Sequence, residues 1–105
     1  MIITTINDVP GHEVVETLGL VRGTTVRARH LGRDIGAALK NLVGGELTEY
    51  TKLIAESREQ AVDRMIREAE ARGANAIVGM RFATSEVVKA AAEVVAYGTA
   101  VRLKD

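Results

Sequence analysis

The spacing of hydrophobic positions changes period several times along this chain, and each change predicts an element. From His12 to Ala28, HEVVETLGLVRGTTVRA is rich in Val and Thr and has no helical stripe, so it predicts a long strand. Gly19 and Gly23 inside it predict bulges or a bend. From Arg33 to Val43 the period becomes helical. Ile35, Leu39, Leu42 and Val43 share a face, Asp34 suits the positive end of the helix dipole, and Gly44-Gly45 supplies a stop. A longer helix follows from Thr48, its predicted N-cap, to a stop at Gly73. Ile54, Ala61, Val62, Met65, Ile66 and Ala69 fall within roughly 140° of one another on it. Glu49, Lys52, Glu56, Asp63, Arg67 and Glu70 occupy the other side.

Period two returns at Ala76–Thr84, where adjacent Ile77 and Val78 point to opposite faces and predict a strand buried on both. The last strand is read over Glu93–Leu103, with Gly98 as a bulge or close-contact point. Ser85–Ala92 reads as a longer hairpin connection with a poorly encoded turn. Ile2–Thr5 suits a short strand and Asn7–Gly11 a turn. The order strand, helix, helix, strand, strand gives one α+β domain over 1–105, a two-layer sandwich with an antiparallel sheet. The helix Thr48–Gly73 lies on one sheet face. The other face, with Val and Ile still exposed, is the natural surface for self-association.

Composition narrows the classes of function. The chain has 105 residues, 14 basic and 14 acidic side chains and a formal charge of zero, so no global field draws it to nucleic acid or an acidic membrane. Arg22, Arg27, Arg29 and Arg33 form a local basic run without an aromatic platform, which gives nucleic-acid binding little support. No apolar run approaches the roughly 18 residues of a membrane span. There is no cysteine, which removes disulfides and thiolate ligands and fits a cytoplasmic location. Aromatic residues are only 3% of the chain, so the core rests on Val, Ile, Leu and Ala, and burial between subunits is favoured.

Taken together, PGHEVVETLGLVRGTTV, Arg33-Asp34, LVGGE with Tyr50 downstream, Arg58 with Ala61, GANAIVGMRF and GTAV strongly resemble the YbjQ-like family. That group is uncharacterised and also carries a heavy-metal-binding label. The similarity runs over nearly the whole chain. It implies a dodecin-like strand–helix–helix–strand–strand subunit assembled as a ring-shaped homopentamer, and no established activity.

Candidate chemistry is sparse. Arg58 falls in the apolar stripe of the long helix, and buried guanidinium groups need partners. One reading is a salt bridge within or between subunits, to Asp34 or Glu46; the other is a pocket arginine holding an anion bidentately. Arg33, Asp34, Tyr50 and Arg58 are therefore the candidate binding or interface residues. A soft-metal site would have to draw on His12, His30 and the thioethers of Met1, Met65 and Met80, which show no ligand spacing. Gly44-Gly45 has neither phosphate-loop pattern, and Ser57 and Ser85 lack a nucleophile motif, so no enzyme is read here. The reading is a non-enzymatic, ring-forming homo-oligomer that binds a small molecule or ion at subunit interfaces. The alternative is a heavy-metal-binding protein.

Overall fold

The computed structural model describes residues 1–28, 48–88 and 91–105. They form strands β1 (Ile2–Ile3) and β2 (Val14–Ala28), helix α1 (Thr48–Ala71), and strands β3 (Ala76–Val88) and β4 (Ala91–Leu103). The helix expected over 33–43, with Arg33 and Asp34, lies outside the described residues.

The four strands make one sheet in the order β1-β3-β4-β2. β4 is antiparallel to both long neighbours, but β1 runs parallel to β3, so the sheet is mixed and not wholly antiparallel. Connectivity explains the difference. β1 and β2 lie on opposite edges, so the chain must cross the sheet between them. It crosses on the face away from the helix. Val9 is buried there against Ala76, Val78, Val101 and Leu103, and the His12 amide closes the Pro10-Gly11 turn onto the Val9 carbonyl at 3.0 Å.

β3 and β4 pair from Ala76↔Val101 to Val88↔Ala91, so the segment read as a long connection is mostly strand. Two features extend it. The segment contains no Gly or Pro to break pairing, and Ala91 and Ala92 also pair with Ala28 and Arg27 of β2. A central strand with ladders on both sides holds residues that propensity alone would leave in a loop.

Register separates the two sheet faces. Val21, Gly23 and Thr25 of β2 lie opposite Gly98, Ala96 and Val94 of β4, and this face meets α1. The helix packs chiefly on β2, less on β4 and barely on β3. Its buried line is Ser57, Ala61, Met65 and Ala69, four residues apart, with Val62 and Ile66 packed at the side. Burying Met65 completely contributes about 1.5–3 kcal/mol. The contact is narrow because Gly23 has no side chain. A Cβ there would lie 2.8 Å from Arg64 Cβ and would overlap the Ala61 carbonyl oxygen and the Met65 amide nitrogen. Gly23 is thus a point of close approach and not the bulge expected from the sequence. Gly19 does sit at a bulge, where the β2 register slips between Thr17 and Gly19.

The helix ends as its sequence demands. Gly73 adopts φ +84°, its amide donates to the Glu70 carbonyl at 3.0 Å, and the Ala74 amide donates to the Ala69 carbonyl at 3.0 Å. These are the two bonds of a Schellman cap. Asn75 then turns the chain into β3. Its side-chain amide donates to the Leu103 carbonyl at 3.1 Å, while its Oδ1 accepts from the Leu103 amide at 2.6 Å. One side chain thereby continues the β3–β4 ladder past the strand end.

Candidate functional site

Of the four candidate residues, Arg33 and Asp34 lie outside the described residues, and Tyr50 falls in the first turn of α1. Arg58 is exposed, which corrects its place in the apolar stripe. The cause is rotational. The helix sits tightest where Ala61 meets Gly23, which turns Ser57 inward and leaves Arg58 at the margin. Thr25 Oγ1 donates to the Ser57 carbonyl at 3.1 Å and holds that rotation.

Arg58 faces the region of β3 that α1 fails to cover. Together with Ala55, Glu59, Val62, Asp63 and Phe82 it lines an open hollow of about 590 Å³. Phe82 is on the helix side of the sheet, opposite Ala96, yet 44% exposed. One guanidinium accompanied by two carboxylates gives no net attraction for an anion, and the lining contains no nucleophile paired with a base. The arrangement suits an apolar contact with a polar rim.

A second open hollow lies at the opposite end of the sheet, lined in part by His12, Glu13, Lys104 and Asp105. His12 is the one imidazole among the described residues. No group of three or more His, Cys, Asp or Glu comes together among those residues. No described helix is long and apolar enough to cross a membrane.

The most ordered polar constellation is one that the sequence did not flag. Arg64, Glu68 and Arg72 lie four residues apart on α1 and meet the outer edge of β2. Arg72 donates from Nη1 to the Leu20 carbonyl at 2.8 Å and to the Leu18 carbonyl at 3.3 Å, and from Nη2 to Glu68 at 2.9 Å. Glu68 accepts from the Arg22 amide at 3.4 Å, and Arg64 donates to the Thr24 carbonyl. The spacing follows from geometry. Four helical residues rise about 6 Å, and two strand residues rise about 6.7 Å, so each turn of α1 meets one outward-facing position of β2. Outward-facing positions 18, 20, 22 and 24 are all engaged. The sequence signal was the i, i+4 repeat Arg64-Glu68-Arg72, which reads equally well as an ordinary solvated face.

The arrangement of elements and the chain's motifs match known proteins. A family model described as "Putative heavy-metal-binding" (YbjQ) matches residues 1–104. The chain belongs to the YbjQ family. It is 56% identical over 104 residues to a UPF0145 protein of Fervidobacterium nodosum, covering 99% of this chain and 96% of that one. It is 60% identical over 96 residues to a UPF0145 protein of Halorubrum lacusprofundi, covering 91% and 92%. An Archaeoglobus fulgidus relative is 56% identical over 104 residues, covering 99% and 96%. Among solved structures, a protein of unknown function from Pediococcus pentosaceus, of the DUF74 family, superposes with TM-score 0.64 at 19% identity. The match covers 99% of this chain and 98% of that one, and it shows a shared fold. The relatives of this YbjQ family member are uncharacterised proteins, so the family description points to metal without naming a function.

Proposed function

We propose that this protein is a non-enzymatic, cytoplasmic subunit of a ring-shaped homo-oligomer, a dodecin-like homopentamer, with ligand contacts formed between subunits. The observation that carries the reading is the sheet face away from α1. Leu20 and Val26 lie there at 58% and 57% exposure, and Tyr97 at 36%. Val9 covers one end of this face, and among the described residues nothing covers the other. The shape supports the same reading. The radius of gyration is 17.2 Å, against about 13 Å for a compact chain of this length. A molecule 53 Å along its longest axis and 16 Å along its shortest gains most by packing against copies of itself. Arg33, Asp34, Tyr50 and Arg58 are the residues proposed to serve such contacts, with Arg58 placed beside the exposed Phe82. Native mass spectrometry of the untagged protein tests this, and a mass of five chains is expected. A single-chain mass at micromolar concentration would reject the reading.

A second reading, heavy-metal binding, rests on the family description. The donor set within one subunit does not fit it. The chain contains no thiol, and the described residues bring no three ligating side chains together. Metal binding would require imidazoles from several subunits, with copies of His12 or His30 converging across the assembly. Calorimetric titration with zinc, copper and nickel is expected to give no saturable heat. Saturable heat that disappears in His12→Ala or His30→Ala would establish a shared site instead.

A further inference from the structure

β2 is the last strand of the sheet among the described residues, and its sequence suits an edge that recruits other chains. It is 15 residues long, rich in Val and Thr, and shows Leu20 and Val26 at 58% and 57% exposure on one face. A long edge strand of this composition offers a row of main-chain donors and acceptors to any extended segment, and natural sheets protect such rows. Two separate features protect this one.

The first is its bulged start. The register slips between Val14 and Glu16 and again between Thr17 and Gly19, and Gly19 has φ +98°. Bulges twist a strand and break the regular spacing that an added strand needs. The second feature begins where the bulges end. Arg72 donates to the Leu18 and Leu20 carbonyls, Glu68 accepts from the Arg22 amide, and Arg64 donates to the Thr24 carbonyl. Each main-chain group thus meets a side chain of the opposite hydrogen-bonding sense, guanidinium for carbonyl and carboxylate for amide, as a neighbouring strand would supply. The Arg72–Glu68 ion pair at 2.9 Å ties two members of the ladder together. The two features also touch, since a Cβ on Gly19 would lie 3.6 Å from Arg72 Nη1. The side chains of Arg72 and Glu68 are still 42% and 35% exposed, so they cover the edge and add little to the core.

We infer that Arg64, Glu68 and Arg72 guard this edge: they stand in for a further strand and keep a second copy of the chain from pairing with β2 between Leu18 and Thr24. The inference is independent of how many subunits assemble, because it states where copies do not join. It also gives the i, i+4 repeat on the helix a purpose beyond solvation. One turn of α1 advances as far as two residues of β2, so three side chains in a row match successive outward positions.

The double variant Arg64→Ala/Arg72→Ala tests this in the full chain, with the native mass of the parent as baseline. It is expected to stay folded by far-ultraviolet circular dichroism and to form species heavier than the parent. At a temperature well below its melt, light scattering should grow roughly 10-fold or more faster than in the parent. Hydrogen–deuterium exchange locates the join: in the heavier species the outward amides of Leu20, Arg22 and Thr24 should slow by roughly 10-fold or more. Arg64→Lys/Arg72→Lys keeps one charged donor at each position and should hold the parent's mass. Lys52→Ala/Arg67→Ala removes the same charge from exposed positions elsewhere on α1 and should hold it too. A folded double-alanine variant at the parent's mass overturns the inference and leaves the ladder as a helix anchor only. Association without slower exchange at those three amides overturns it, and so does equal association of Lys52→Ala/Arg67→Ala. If the double-alanine variant fails to fold, Arg72→Ala alone decides by the same readings, with the Leu20 amide as the reporter.

Discussion

Replacing Gly23 with alanine is expected to destabilise this protein by about 3 kcal/mol or more, the largest effect of any single methyl group in the described residues. Three atoms oppose the new Cβ, and all belong to the helix close to its axis: the Ala61 carbonyl oxygen, the Met65 amide nitrogen and Arg64 Cβ. No rotamer change relieves such contacts, because two of the three atoms are main chain. The helix must lift from β2. Lifting uncovers Met65 and Val21, both fully buried. It also lengthens the bonds that Arg64 and Arg72 make to the edge of β2. Thermal melts followed by circular dichroism at one fixed protein concentration should show a midpoint lowered by about 12 °C or more. Gly98→Ala is the useful comparison. There the new Cβ would meet Ile77 Cγ2 at 2.7 Å, the Val78 carbonyl oxygen at 3.1 Å and Met80 Cα at 3.3 Å, all longer than the two main-chain overlaps at Gly23, so a smaller loss is expected. A Gly23→Ala protein that melts within 2 °C of the parent, flagged against a typical surface change of about 0.5 kcal/mol, would show that α1 does not pack on β2 at this point.

Leu20→Asp is expected to break the assembly while leaving the subunit folded. Leu20 is 58% exposed in the single chain, on the face away from the helix, so a carboxylate there costs the isolated subunit little. In an assembly that buries this face the same change removes an apolar side chain worth about 1.5–3 kcal/mol and places an unpaired charge in its stead. Association should therefore weaken: the concentration midpoint of subunit dissociation is expected to rise roughly 100-fold or more, equivalent to about 2.7 kcal/mol. Light scattering across a dilution series reads this directly, with far-ultraviolet circular dichroism confirming that the strands persist. An unchanged oligomer would remove the Leu20 face from the interface.

The two expectations differ in how far the sequence anticipated them. That Leu20 and Val26 lie on an uncovered face follows from alternation along a strand opposite a single helix layer, and the sequence carries that pattern. That Gly23 is a contact and Gly19 a bulge does not. Both are glycines in one strand, and only the position of the helix distinguishes them. Arg58 teaches the same point from the helix side. A stripe defined by Ile54, Ala61, Val62 and Met65 includes Arg58 near its middle, and a rotation of one residue exchanges it for Ser57. Helical periodicity has a resolution of about 100° per residue, coarser than the margin between buried and exposed.

The arginines were the least legible. Arg64, Arg72, Arg81 and Arg102 all donate to main-chain carbonyls, of Thr24, of Leu18 and Leu20, of Thr5 and Met80, and of Gly73. Such bonds depend on which carbonyls a ladder leaves unpaired, and that is settled only when strands take their places in the sheet. Asn75 is an intermediate case. Its position after a helix-ending glycine marks a turn, but its pairing with Leu103 joins residues 28 apart.

What the sequence determined by itself is the set of local choices. It set the long strand after Pro10-Gly11, the helix from Thr48, the Gly73 cap, the strand buried on both faces at Ile77 and Val78, and the family to which the chain belongs. Each depends on side chains within a few residues or on motifs in order along the chain. Tertiary structure decided everything that requires knowing a neighbour. It made β1 parallel, because the chain must cross the sheet under Val9. It extended β3 and β4 through the expected loop, because β2 pairs with Ala91 and Ala92. It set the rotation of α1 on Gly23, and it laddered the outer edge of β2 with side chains of the helix. Local energies select the elements, but the unpaired groups of a sheet exist only after its strands are ordered, and those groups direct the polar contacts.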